Sequence, residues 1–184
     1  MWILITLAAA TFQILRTARQ HELRRMLPVV PAGFVRYAYG FPLAAVASLV
    51  TFGVFGSELP LPPTHFWPII AGAGIAQILG TTALLQSFQL RDFAIGTVYV
   101  KTEVILVAVI SAVFLGEAMQ PLGWVAALVC MSGVAWLASP HKITDALKMI
   151  GDPAALMGLA AGLGFAVAAA GIHAASNSLG NGPA

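Results

Sequence analysis

Six apolar stretches, at about residues 2–15, 29–55, 66–88, 93–115, 119–138 and 153–175, leave this chain little polar surface with which to face water. About 20 apolar residues, rising 1.5 Å each, cross a hydrocarbon core, and most of the six reach or approach that length. Charged residues make up 9% of the chain against 59% hydrophobic, and the mean hydropathy is +0.90. A soluble domain carries roughly 25% charged residues. The chain therefore belongs in a lipid bilayer. None of the stretches shows the alternation, over about ten residues, of an outer-membrane strand, so the expected fold class is all-α: a polytopic, multi-pass transmembrane helix bundle.

The breaks carry helix-boundary signals. Leu27-Pro28 and Pro31 mark the start of the second helix, and Leu59-Pro60-Leu61-Pro62-Pro63 is a stiff connector that cannot continue a helix. Gly116-Glu117 and Pro121 predict a tight corner, Ser139-Pro140 closes the fifth stretch, and Asp152-Pro153 predicts a cap and first-turn proline for the sixth. The first stretch is apolar and followed by Arg16, Arg19, Arg24 and Arg25. A secretory signal carries its positive charge before the apolar run, so this segment reads as a short first membrane helix, ended and anchored by Gln13 and Arg16. Residues 16–25 read as a cytoplasmic, lipid-facing turn and not as a nucleic-acid patch. With alternating crossings, Arg16, Arg19, Arg24, Arg25, Arg91, Lys142 and Lys148 fall on one side, while the opposite loops hold Glu58 and Glu117 and no cation. The positive-inside rule then places the first loop in the cytoplasm and the N-terminus outside. Gly72, Ala76 and Gly80, and likewise Ala154, Gly158, Gly162 and Ala166, recur every four residues. In lipid, such small residues let helix backbones approach closely; the last helix is so rich in them that no single face stands out. The lone cysteine, Cys130, offers no disulfide framework.

The residues that suggest chemistry lie in the fourth stretch. Lys101 and Glu103 stand well inside it, with Glu103 roughly 15 Å deep at 1.5 Å per residue. A charge at the bilayer centre costs at least ~2.5 kcal/mol, and chains that retain one usually use it for ligands, ions or protons. Two residues apart is about 200° around a helix, so the two cannot pair on one face. Glu103 is the main candidate for a polar cavity and for proton coupling, with Lys101 beside it. Gln77, Thr81 one turn further on, and Tyr99 at four residues from Glu103 are further candidates for the lining. Arg36, two turns into the second stretch, is placed for either a substrate or the inner headgroups. Gln86 and Gln89 read as interfacial, His173 has no metal partner at useful spacing, and Ser111 and Ser132 are isolated. No Walker lysine, HExxH, GxSxG or CxxC occurs. The expectation is a non-enzyme with no cofactor, no catalytic residues, no metal and no nucleic-acid partner, whose partners are the bilayer and a small-molecule substrate. The competing reading is a non-transporting membrane protein whose buried charges pair structurally; an intramembrane hydrolase lacks any visible nucleophile–base set.

Gln86-Ser87-Phe88-Gln89-Leu90, then Phe93 through the Phe114-Leu115-Gly116-Glu117 ending, then Leu122-Gly123 and Met131-Ser132-Gly133-Val134, in this order, resemble the EamA repeat of the drug/metabolite transporter superfamily. Phe34-Val35-Arg36-Tyr37 resembles the arginine-bearing start of that family's second helix. The resemblance covers residues 1–138 as one five-helix repeat, followed by a loop at 139–152 and, at 153–184, the first helix and tail of a second repeat. It implies an inner-membrane secondary transporter of a small metabolite or exported solute, with a cavity lined by helices three and four and the N-terminus inside, opposite to the loop charges. Family members have ten helices in two inverted repeats, which form their site where the halves meet. Here the residues stop after the sixth stretch, so a truncated chain completed by its missing repeat, or a homodimer, is expected. The family's mid-helix proline in the fourth helix is replaced by Lys101-Thr102-Glu103.

Overall fold

In the computed structural model, which describes residues 2–55, 61–90, 99–116, 119–138 and 152–179, no strand occurs among the described residues. Among the described residues six α-helices follow one another: α1 (Trp2–Met26), α2 (Val29–Phe55), α3 (Phe66–Leu90), α4 (Glu103–Ile110), α5 (Pro121–Ala138) and α6 (Pro153–Ser178). The chain is an all-α membrane helix bundle. By length and composition α2 over Val29–Gly53, α3 and α6 can each cross a membrane, while the described parts of the fourth and fifth stretches form shorter apolar helices. Leu4, Phe12, Phe34, Phe41, Leu49, Phe114, Leu122 and Trp136 are all strongly exposed. In water such a girdle would drive aggregation; lipid tails cover it.

Several boundaries follow from the signals in the sequence. α2 begins directly after Pro28. Asp152 caps α6 with an extended backbone (φ −71°, ψ 134°), its Oδ1 accepting from the Ala154 amide at 3.4 Å, and Pro153 fills the first turn. Gly116, at φ +70°, closes the fourth segment in the left-handed conformation that glycine adopts without cost, its amide donating to the Ser111 carbonyl across a π-helical turn (Ser111–Leu115). The connector at Leu59-Pro60, the Glu117 side of the corner and Ser139-Pro140 lie outside the described residues.

Two boundaries differ from expectation. α1 does not end near Leu15 but runs on to Met26, because glutamine, arginine, glutamate, leucine and methionine are strong helix formers and nothing before Pro28 interrupts them. An Arg19–Glu22 pair at 3.1 Å sits on its exposed surface. Residues 16–25 are thus helix and not a turn, and Gln13 and Arg16 lie within α1 and do not end it, so Arg16, Arg19, Arg24 and Arg25 all drop out of the tally of loop cations. Glu58, Arg91, Lys142 and Lys148, which the same tally uses, lie outside the described residues. The fourth stretch, expected as one helix, is interrupted: Tyr99 and Val100 are helical, Lys101 and Thr102 form a turn, and α4 starts at Glu103. The Thr102 amide and hydroxyl both donate to the Tyr99 carbonyl, at 3.2 and 2.7 Å, and the Val104 and Ile105 amides reach three residues back. Back-bonding by a threonine hydroxyl tightens and bends a helix, here where the family resemblance places a proline.

α3 and α6 make the most extensive contact of the bundle, and they do so through missing side chains. A Cβ on Gly164 would lie 2.8 Å from the Gly80 Cα and 2.9 Å from the Ala76 carbonyl, and one on Gly171 would lie 2.9 Å from the Ala73 Cβ. Gly80 opposes Gly164 and Ala73 opposes Gly171, seven residues apart on each helix, so the two run antiparallel with backbones nearly touching. The expected stripe keeps Ala76 and Gly80, while Ala73 takes the place of Gly72, which has nothing within 4 Å of its Cβ position. α6 uses a second face as well. A Cβ on Gly162 would lie 2.8 Å from the Thr102 Oγ1 and 3.2 Å from the Val100 carbonyl, so this glycine admits the turn before α4. A small apolar cluster of Ala32, Leu84, Leu85, Phe88, Val100 and Ala161 joins α2, α3, α6 and that turn.

Gly164→Ala forces backbone apart from backbone and is expected to cost about 1–3 kcal/mol, lowering the thermal midpoint of the detergent-solubilised protein. Gly72→Ala, on open surface, is expected to leave that midpoint unchanged or raise it slightly. Equal effects of the two substitutions contradict the contact.

Candidate functional site

A cavity of about 390 Å³ lies among the helices, bounded by α1, α2, α3, the turn preceding α4, and α6. Its size is within the range of small-molecule sites, roughly 300–1,000 Å³. Gln13, Arg16, Thr17 and Gln20 line it from α1, Arg36 from α2, Gln77 from α3, and Lys101 and Glu103 from either end of the turn; Ile14, Leu84, Val100, Phe165 and Ile172 supply apolar wall. α1, α3 and α6 contribute residues near their midpoints, so the cavity sits toward the middle of the bundle.

Arg36 does not reach for the headgroups. Its Nη1 donates to the Thr81 Oγ1 at 3.0 Å, and its guanidinium stands 5.6 Å from the ring centre of Tyr37. Thr81 is 1% exposed and donates back to the Gln77 carbonyl at 2.8 Å. The Tyr37 hydroxyl lies 3.0 Å from the Thr81 Oγ1 and 3.2 Å from the same carbonyl. Two side chains of α2 thus meet one hydroxyl and one carbonyl of α3, which fixes the arginine at the cavity wall. Thr81 supports Arg36 from behind, and Thr81 and Tyr99 are absent from the cavity lining. The register expected for Tyr99 and Glu103 on one continuous helix is lost in the intervening turn, where Tyr99 contributes its carbonyl to Thr102. Of the six residues expected to line a cavity, Glu103, Lys101, Gln77 and Arg36 come together.

Electrostatically the cavity is lopsided. Arg16, Arg36 and Lys101 line it, with Glu103 as the sole acidic residue of the lining among the described residues. Among the described residues, no ion pair joins Glu103 to Lys101 or to either arginine; the pair that forms is Arg19 with Glu22, at the surface. Gln20 is 7% exposed, and its Nε2 has no hydrogen-bond partner among the described residues. Burying an amide donor without a partner costs about 1–3 kcal/mol.

The α1 contribution was legible in principle. Gln13, Arg16, Thr17 and Gln20 follow at intervals of three, one and three, which is one face of a helix. Ending the helix at its apolar limit hides that face. His173 lies outside the cavity with its Nε2 3.3 Å from the Asn177 Nδ2, and no group of three or more potential metal ligands occurs among the described residues. Ser132 donates to the Val129 carbonyl at 2.8 Å, the usual use of a lone serine in a membrane helix.

Residues 1–139 match the family model described as the EamA-like transporter family. No curated protein and no solved structure gives a significant match.

The α2–α3 polar contact yields a double-mutant test. Tyr37→Phe and Thr81→Val are each expected to lower stability by about 0.5–1.5 kcal/mol, and the pair together by less than their sum, with a coupling of at least about 0.5 kcal/mol. Strict additivity in detergent unfolding measurements contradicts the shared hydroxyl contact.

Proposed function

The chain belongs to the EamA-like transporter family, and on that premise we propose that it is an inner-membrane secondary transporter of a small metabolite or exported solute. The solute occupies the polar cavity between α1, α2, α3, α6 and the interrupted fourth helix. One observation carries the reading: a small-molecule-sized space at mid-bundle, lined by Arg36, Gln77, Lys101 and Glu103 together with the polar face of α1. Polar groups at that depth are expensive, and a purely structural role would seal Glu103 against a cation. The absence of such a pair among the described residues favours the transport reading over the structural one.

In this mechanism Arg36, held by Thr81 and Tyr37, is a fixed recognition group. Gln77, one turn before Thr81 on α3, offers an amide beside it, and Lys101 and Glu103 flank the turn. An interrupted helix beside a cavity is how membrane transporters expose backbone and charge to a solute without exposing them to lipid. Glu103 is the proton-coupling group. Transport by inverted repeats requires a facing half, supplied by a second repeat or by a second copy; the lipid-exposed length of α2, none of whose apolar window is buried, is the surface against which either docks.

Access is tested on a background with Cys130, the only cysteine, replaced by serine. Gln77→Cys is expected to react with a charged, membrane-impermeant thiol reagent several-fold faster than Val109→Cys, a partly exposed apolar position on α4. Equal protection of both means that the cavity is closed to water and the charges are structural. In proteoliposomes, counterflow of a panel of amino acids, sugars and organic acids is expected to reveal at least one substrate above empty vesicles. Its proton-linked component is expected to vanish in Glu103→Gln. No flux from any member contradicts the proposal.

A further inference from the structure

We propose that the cavity takes a small organic anion, a carboxylate or phosphate head on a short hydrocarbon body, and that Gln20 and Arg36 hold the head. The inference rests on the transport reading and narrows its substrate class. Among the described residues that line the cavity, the buried polar atom without a partner is a donor. Gln20 is more than nine-tenths buried on α1, it lines the space, and its Nε2 meets no acceptor among the described residues. Arg36 uses one of its five N–H groups on Thr81, and a guanidinium accepts nothing. Arg16 and Lys101 add two more cations with no carboxylate within ion-pair distance among the described residues. Burying a donor beside like charges is unfavourable unless an acceptor-rich, negatively charged group arrives to meet them. Among the described residues the lining holds one carboxylate, Glu103, against three cations, of which Arg16 and Lys101 are exposed, and this excess of positive charge favours an anionic ligand.

The rest of the wall describes the body of that ligand. Phe165 and Ile172 of α6 and Ile14 of α1 give the same cavity an apolar side. A fully hydrophilic anion would leave this side wasted. A zwitterion would bring a second positive group into a site already in excess of cations. An organic acid with a small apolar portion satisfies both walls, and so does the phosphate of an anionic lipid with the top of its acyl chains.

The test uses the full chain, purified in detergent and in phosphatidylcholine nanodiscs, with three probes of nearly one shape: phenylacetate, phenylacetamide and L-phenylalanine. Phenylacetate is expected to raise the melting temperature and to bind at least tenfold more tightly than either of the others. Gln20→Leu is expected to weaken phenylacetate binding at least tenfold while leaving the melting temperature of the unliganded protein unchanged or higher, because it removes an unpaired donor. That second readout separates lost recognition from lost folding, which Arg36→Gln alone would not. Nanodiscs containing phosphatidylglycerol distinguish the source of the anion. If that lipid displaces phenylacetate and its binding is lost in Gln20→Leu, the headgroup is the natural occupant. If phenylacetate still binds, the occupant is a soluble acid. Equal binding of phenylacetamide, full affinity in Gln20→Leu, or binding of neither phenylacetate nor phosphatidylglycerol overturns the inference. Binding needs no gradient, so failure to detect flux leaves this result standing, and flux of a neutral solute without anion binding sinks this inference alone.

Discussion

Backbone contact between α3 and α6 is the constraint from which the rest of the bundle takes its shape. Lipid tails are as apolar as leucine, so burying apolar surface offers membrane helices little gain; close packing and interhelical hydrogen bonds hold them together instead. At Gly80 against Gly164 and Ala73 against Gly171 there is no room for a further methyl group. Once these two helices are locked, Phe165 on α6 is carried against Gly80 and into the cavity wall, and Gly162 is turned toward the residues before α4. The last helix is therefore central to the packing of the others and no appendage to them.

The interruption of the fourth segment packs directly against α6. A continuous helix at Thr102 would present a full turn of side chains to α6, whereas glycine at 162 leaves space for the threonine hydroxyl as it bonds back to Tyr99. The turn puts Lys101 and Glu103 at its two sides and lets both line one cavity, although their spacing would separate them on a regular helix. On the other wall, Arg36 is held by a hydroxyl and a ring donated by neighbouring residues. A cation fixed in this way is pre-organised for a ligand; one free to snorkel is not.

Much of the architecture is legible in the residues. The apolar lengths give the bundle, Pro28 and Asp152-Pro153 give the starts of α2 and α6, and Gly116 gives the end of the fourth segment. Glu103, Lys101, Gln77 and Arg36 stand out because charge and amide are costly among apolar neighbours, and all four line the cavity. What escaped the reading has physical causes. Hydropathy marks where a chain leaves lipid, while helix propensity decides where the helix ends, and on α1 the two differ by more than ten residues; Gln20 and the polar face before it went unseen for that reason. On helices made largely of alanine and glycine, adjacent small residues such as Gly72 and Ala73 are equal candidates by residue type, and only the packed partner decides between them. The break at Lys101-Thr102 has a local part, the threonine hydroxyl bonding back to Tyr99, and a distant one, the space left by Gly162 sixty residues away, and threonine alone does not announce it.

The antiparallel register of α3 and α6 can be measured directly with pairs of spin labels on the Cys130→Ser background. Leu79, Leu90, Leu156, Leu163 and Asn177 are exposed on the two helices and tolerate labels. The structure predicts short distances for Leu79 with Leu163 and for Leu90 with Leu156. Leu90 with Asn177 is expected to be longer by about 25 Å, since the axial rise from Leu156 to Asn177 is about 32 Å at 1.5 Å per residue and adds to a lateral separation of the helices. Equal distances from Leu90 to the two ends of α6, or a shorter one to Asn177, would contradict the packing on which the cavity depends.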